Sequence, residues 1–128
     1  MLKTKEEIEE WLNKMQIKKY TINDDLTVDV DGYVNISRKN LTEIPFQFGK
    51  VYGYFDCSVN KLTSLKGCPI YVNGQFWCDM NKLKNLDNCP EHVSGHFFSD
   101  IQDFYPQEYK EIIKLKRRKE KLNSLDLR

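Results

Sequence analysis

The sequence predicts an α/β repeat fold: a short solenoid whose turns stack around a parallel β-sheet, capped by an N-terminal and a C-terminal helix. Three observations carry this prediction. Residues recur every 21 positions: Val30, Val51, Val72 and Val93; Gly32, Gly53, Gly74 and Gly95; Val34, Phe55, Phe76 and Phe97; Leu41, Leu62 and Leu83. Self-similarity at such a period marks units that bury their apolar faces only against their neighbours. Each copy also holds a short triplet: Val34-Asn35-Ile36, Phe55-Asp56-Cys57, Phe76-Trp77-Cys78 or Phe97-Phe98-Ser99. A strand period of two sends the first and third residues inward and the middle one outward. Finally, only 40% of the 128 residues are hydrophobic and 30% are charged, a balance that suits a thin, high-surface stack better than a large single core.

Residues 1–29 read as an N-terminal helical cap and a lead-in strand. Thr4 followed by Glu7 has capping-box spacing, and Glu6, Glu7, Glu9 and Glu10 suit the positive end of a helix dipole. Ile8, Trp11, Leu12 and Met15 form one apolar stripe, which predicts a helix over 4–16 that seals the first repeat. Asp24-Asp25 predicts a turn. Leu26, Val28 and Val30, alternating with Thr27 and Asp29, predict a strand with one buried face.

Residues 30–100 hold the repeats. Asn60 and Asn81 follow the strand cysteines by three positions, and each precedes an x-Leu-x-x-Leu run, Leu62 and Leu65 or Leu83 and Leu86. The glycine two positions after each valine predicts a tight turn or a close neighbour contact. Gly67-Cys68-Pro69 and Asn88-Cys89-Pro90 predict the return turns. The pattern F-x-C-x-x-N-x-L-x-x-L resembles the leucine-rich repeat family, with aromatic and cysteine substitutions; the first copy, VNISRKNLTEIP, has Lys39 at the asparagine position. The string K-L-T-S-L-x-G-C-P is similar to repeats in proteins of large bacteriophages. The resemblance implies a short leucine-rich-repeat-like solenoid, curved, with its sheet on the concave side. It implies that Asn60 and Asn81 bond backbone groups of adjacent turns. It also implies a small phage effector that binds and inhibits or redirects a host bacterial protein, such as a defence factor or a toxin. Three to four repeats are near the minimum for stability, so a wedge is expected in place of a deep horseshoe.

Residues 101–128 read as a C-terminal basic helix. Pro106 suits a first helical turn, and Tyr109, Ile112 and Ile113 offer a face to close the last repeat. Lys114, Lys116, Arg117, Arg118, Lys119 and Lys121 follow, opposed by Glu120, and then Leu122, Leu125 and Leu127.

Function must come from a surface, because no catalytic motif is present: no Gly-rich phosphate loop, no G-x-S-x-G and no H-E-x-x-H. Cys78, Cys89, His92 and His96 raise a metal reading, but the C-x10-C spacing lacks the tight cysteine pair of zinc modules. The cysteines are expected to be small buried hydrophobes, with no metal and no cofactor. A net charge of +1 gives the whole molecule no drive toward nucleic acid or anionic membrane. The longest apolar run is only a few residues, so no membrane span is expected. The first residues lack the apolar core of an export signal, so a cytoplasmic protein with reduced thiols is expected.

Two surfaces qualify. The outward strand positions bring together Tyr33, Tyr54, Asp56, Trp77, Asp79, His96, Phe98 and Asp100 as a partner-binding face. Exposed aromatics beside polar groups have the composition of interface hot spots, and the acids point to a protein partner. The alternative is the basic site Lys114, Lys116, Arg117, Arg118, Lys119 and Lys121, six positive charges over eight residues, which would neutralise phosphates of a nucleic acid. Such runs are commonly solvated helix faces. The sequence sets no oligomeric state.

Overall fold

A computed structural model describes residues 1–126; the sequence-predicted Leu127 and the terminal Arg128 lie outside the described residues. The chain is a β-solenoid of about three turns, built from two parallel sheets and closed by helices α1 (Lys5–Lys14) and α2 (Pro106–Asp126). The strands are β1 (Tyr20–Ile22), β2 (Val28–Val30), β3 (Val34–Asn35), β4 (Phe48–Val51), β5 (Phe55–Asp56), β6 (Tyr71–Val72), β7 (Phe76–Trp77), β8 (His92–Val93) and β9 (Phe97–Phe98).

The single parallel sheet expected from the sequence is replaced by two. One runs β1-β2-β4-β6-β8 and the other β3-β5-β7-β9. Each valine ends a strand of the first sheet, and the residue four positions on begins a strand of the second. The glycine between them is the corner. A Cβ at Gly53, Gly74 or Gly95 would stand 2.7, 2.9 or 2.9 Å from the backbone nitrogen of Tyr33, Tyr54 or Gln75 in the turn before. Stacking at this corner therefore excludes a side chain, which explains the periodic glycine. Among the described residues the helices are α1 and α2 alone, so the α/β repeat expectation narrows to a β-repeat with helical ends.

The register follows the 21-residue period without a slip over the four-stranded sheet. Val34 pairs with Phe55, Phe55 with Phe76, and Phe76 with Phe97. Amides of Val34, Phe55 and Phe76 donate to the carbonyls of Tyr54, Gln75 and His96 at 2.9 Å in each case. A slip by one residue would turn every inward phenylalanine to solvent, so burial fixes the register.

The core is an unbroken line of rings from one helical cap to the other. Trp11 of α1 meets Phe46 edge-on at 5.2 Å, Phe46 meets Phe48 at 4.8 Å, and Phe48 meets Phe55 at 5.2 Å. Phe55 and Phe76 stack at 5.7 Å and Phe76 and Phe97 at 5.1 Å, and Phe97 lies 4.8 Å from Tyr109 of α2. Ile8 and Leu12 of the α1 stripe are completely buried, and Trp11 and Met15 pack half-buried beside them. Thr4 caps that helix by accepting from the Glu7 amide at 3.2 Å, while the Glu7 carboxylate accepts from Lys3 N–H at 3.2 Å. The reciprocal bond of the capping box thus falls one residue earlier than its standard partner.

Asn60 and Asn81 tie the turns together. The Asn60 amide donates to the carbonyls of Ile36 (2.9 Å) and Cys57 (3.0 Å), and its oxygen accepts from Lys39 N–H and Leu41 N–H, each at 3.0 Å. Asn81 donates to Cys57 and Cys78 (3.0 and 3.1 Å) and accepts from Leu62 N–H at 3.0 Å. The residue before this position takes the left-handed conformation in all three copies: Arg38 (φ 56°), Val59 (φ 54°) and Met80 (φ 54°).

At the N-terminal end β1 pairs antiparallel with β2. The segment Tyr20–Asp31 is therefore a hairpin: the expected turn at Asp24-Asp25 joins the expected strand, β2, to a further strand, β1, that the sequence did not single out. At the other end Phe97 and Phe104 exchange amide-to-carbonyl bonds of 2.9 and 2.8 Å, closing β9.

Two stability effects follow. Asn60→Ala takes the side-chain partner from the Ile36 carbonyl and from the Lys39 and Leu41 amides, while Cys57 keeps its bond from Asn81, and lowers unfolding free energy by about 3 kcal/mol in urea titration. Met80 is exposed and strained, and asparagine tolerates its backbone conformation better. Met80→Asn therefore raises stability by up to ~1 kcal/mol, read as a higher urea midpoint at unchanged slope.

Candidate functional site

The outer face of the β3-β5-β7-β9 sheet gathers the sequence-predicted partner residues into adjacent columns. Alternation along each strand sends Phe55, Cys57, Phe76 and Cys78 into the core, all fully buried, and turns the residues between them outward. One column is Tyr33, Tyr54, Gln75 and His96. The next is Asn35, Asp56, Trp77 and Phe98, in register through the Asn35–Asp56, Asp56–Trp77 and Trp77–Phe98 pairs. The third is Ser37, Ser58, Asp79 and Asp100.

The aromatic members touch one another in a continuous ladder. Tyr33 stacks on Tyr54 at 5.0 Å, Tyr54 meets Trp77 edge-on at 5.6 Å, and Trp77 stacks on Phe98 at 5.5 Å with the planes 8° apart. His96 stacks on Phe98 at 5.9 Å and meets Tyr105 at 4.9 Å. This mutual stacking leaves Trp77, Phe98, Tyr54 and His96 half-buried, while Tyr33 is 61% and Tyr105 66% exposed. Burial raises the Tyr54 hydroxyl pKa, with Tyr33 and Asp56 adding to the effect.

Sequence reasoning missed Tyr105 and Asp103. Both stand in the link to α2, which the Phe97–Phe104 bridge folds back against the last turn. With Gln75, His96 and Phe98 they line a hollow of about 500 Å³ at the end of the ladder. The available signal was the aromatic pair Phe104-Tyr105 immediately before Pro106.

The acids of this face differ in surroundings. Asp56 accepts from the amide and hydroxyl of Ser58 at 2.9 and 2.6 Å, as Asn35 does from Ser37 at 3.1 and 2.7 Å. Asp100 accepts from Asn81 N–H at 3.3 Å, and Asp103 from Ser99 N–H at 3.0 Å. Asp79 takes the column position held by serine in the first two turns, and its Oδ1 is buried with no hydrogen-bond donor. Loss of hydration raises its pKa above the ordinary carboxylate value, and the charges of Asp100, Asp56 and Asp103 add to the rise. Among the described residues, the salt bridges are Lys5–Asp24, Lys114–Glu111 and Arg117–Glu91. None neutralises the acids of the ladder face.

The alternative basic site lies elsewhere, on α2. Tyr109 and Ile113 are buried and seat the first half of the helix, the Tyr109 hydroxyl donating to the Pro90 carbonyl. Lys114, Lys116, Arg117, Arg118, Lys119 and Lys121 are all exposed. Arg117 approaches Glu91 at 3.4 Å and Lys114 approaches Glu111 at 3.7 Å, in pairs more than half exposed on both sides.

The cysteines are free, with Cys57, Cys68 and Cys78 buried and Cys89 half-buried. A hydrogen bond with Cys68 and then burial push the Cys57 thiol pKa up, and burial does the same for Cys78. Such thiols remain protonated and act as packing groups. Among the described residues no cluster of three or more His, Cys, Asp or Glu is placed to hold a metal ion.

The raised carboxyl of Asp79 sets a pH effect with a definite sign. As pH rises through the window above the ordinary carboxylate value of about 3.9, the unfolded chain loses its proton before the folded one. Folding stability therefore falls across that window. Asp79→Asn removes the penalty, so its melting temperature relative to wild type rises as pH increases through that window and then levels off. A difference that stays flat with pH would contradict this.

No family model, no curated protein and no solved structure matches the chain, so its own geometry carries the functional reading.

Proposed function

We propose that the protein is a non-enzymatic protein-binding module that works through the aromatic ladder of the four-stranded sheet. The observation that supports this most directly is the run Tyr33, Tyr54, Trp77, Phe98, His96 and Tyr105, in contact from the first turn to the last and flanked by four acids that make no salt bridge among the described residues. Rigid rings already packed together lose little conformational freedom on binding, and aromatic residues are the commonest interface anchors. Trp77 and Phe98 are the central anchors; Tyr54, Asp56, Asp79 and Asp100 orient the partner. The mechanism is steric occlusion of the surface that is covered.

The leucine-rich-repeat likeness of the sequence belongs to this reading. A small phage effector in the host cytoplasm, binding and inhibiting or redirecting a host defence factor or toxin, is the biological role it suggests. A second reading, nucleic-acid binding through α2, has its own support in the exposed run from Lys114 to Lys121. It requires affinity that falls steeply with salt.

The test is affinity capture from bacterial lysate with and without nuclease treatment, with wild type, Tyr33→Ala and Trp77→Ala/Phe98→Ala compared after melting curves establish that each variant is folded. Wild type retains one protein, Tyr33→Ala retains less, and the double variant retains none. Equal retention by all three contradicts the reading. Retention that disappears with nuclease transfers the function to α2.

A further inference from the structure

The link from β9 to α2 shapes one end of the ladder into a hollow of about 500 Å³, lined by Gln75, His96, Phe98, Asp103, Phe104 and Tyr105. Local bonds hold this link in place. The Phe97–Phe104 bridge pins it to the last turn. The Ser99 hydroxyl donates to the Gln102 carbonyl at 2.6 Å and accepts from the Gln102 amide at 2.9 Å. Asp103 Oδ1 accepts from Ser99 N–H at 3.0 Å, and the Tyr105 amide donates to the Glu108 carboxylate at 3.0 Å. The walls are therefore set before anything binds.

Those walls are mostly rings. His96 and Phe98 lie nearly parallel, with their planes 16° apart, and Tyr105 stands across them at 69° to His96. The remaining lining is polar at Gln75 and anionic at Asp103. No lysine or arginine lines the hollow, and among the described residues no salt bridge involves Asp79, Asp100 or Asp103. Burial raises the Asp79 pKa, and the charges of Asp100, Asp56 and Asp103 raise it further, so these acids share one negative field at this end of the face. Ring faces are themselves negative. Rings and acids together complement a cation, and Gln75, Asp103 and Tyr105 are exposed at the mouth.

We infer that this hollow receives an arginine side chain of the protein bound by the ladder, its guanidinium flat against His96 and Phe98 and its N–H groups donating to the Asp103 carboxylate. The inference rests on the ladder reading and names the partner's chemistry at one end of it. A guanidinium is planar and weakly hydrated, stacks on rings and presents its donors as a rigid fork; an ammonium is a compact, strongly hydrated point charge. Parallel rings beside a single lining acid suit the planar group. Asp103 bonds Ser99 through Oδ1, which leaves Oδ2 to accept from the arginine.

The experiment titrates the full chain with a capped glycine-arginine-glycine tripeptide and with its citrulline, lysine and trimethyllysine counterparts, followed by the ring resonances of His96, Phe98 and Tyr105. Tyr105→Leu, Asp103→Asn and Glu10→Gln are compared with wild type. All three positions are exposed, and asparagine still accepts from Ser99, so the variants fold, as melting curves verify. The arginine peptide gives saturable shifts at millimolar concentration. The citrulline peptide, similar in shape but uncharged, gives none. Tyr105→Leu and Asp103→Asn each weaken arginine binding about fivefold, and Glu10→Gln, on the opposite cap, leaves it unchanged. Unmoved ring resonances, equal binding of citrulline, an equal loss in Glu10→Gln, or lysine or trimethyllysine bound as tightly as arginine overturns the inference. The titration needs no partner, so the two readings fail separately. Protein capture lost in Trp77→Ala/Phe98→Ala, with no arginine binding, overturns this inference and keeps the ladder. Arginine binding with no captured protein overturns the ladder reading and, with it, the assignment of the arginine to a protein partner.

Discussion

The structure depends on one constraint: every backbone hydrogen bond between turns must join residues about one 21-residue period apart. Strands two residues long have no stability alone. They persist because each turn supplies partners for the next, and because the inward side chains then fall in line. Phe55, Phe76 and Phe97 stack as a consequence of that register. The Asn60 and Asn81 amides join it from the side, satisfying carbonyls and amides that the return loops would otherwise bury unpaired. The corner glycines permit the close approach that the register demands.

The same constraint organises the surface. A side chain one position away from a core phenylalanine cannot avoid standing above its counterpart in the next turn. A solenoid therefore turns residue choices that look scattered in sequence into columns, and the aromatic ladder is such a product. The rings of Trp77 and Phe98 are separated by 21 positions in the chain and by 5.5 Å in space. Acids placed beside that ladder repel one another, and Asp56 and Asp79 are half-buried. The clearest case is Asp79, whose inner oxygen has no donor. Buried polar groups without partners are uncommon in folded proteins, and here the exception lies on the face that carries the aromatic ladder.

Much of this was legible in the residues. The period, the inward and outward alternation, the α1 stripe of Ile8 and Leu12, the turn at Asp24-Asp25 and the start of α2 at Pro106 each rest on local spacing. The second sheet was not legible, because Val51 and Val72 look like the beginning of the same strand that carries Phe55 and Phe76. Only the close approach at Gly53 and Gly74 separates them, and a close approach is a property of two turns together. Tyr20–Ile22 was hidden because three residues are too short a run to read alone, and its pairing with β2 across the Asp24-Asp25 turn belongs to the folded hairpin. Tyr105 and Asp103 joined the ladder face through the Phe97–Phe104 bridge, a contact outside the 21-residue period.

The most direct test of the account measures scalar couplings across hydrogen bonds in the isotope-labelled protein. The register predicts couplings from the amide nitrogens of Phe55 and Cys57 to the carbonyl carbons of Gln75 and Trp77. It predicts the same from Phe76 and Cys78 to His96 and Phe98, with the Trp77 indole in contact with Tyr54 and Phe98. Couplings between residues at any other separation, or rapid exchange of these four amides with solvent, would contradict the stacked register and with it the aromatic ladder.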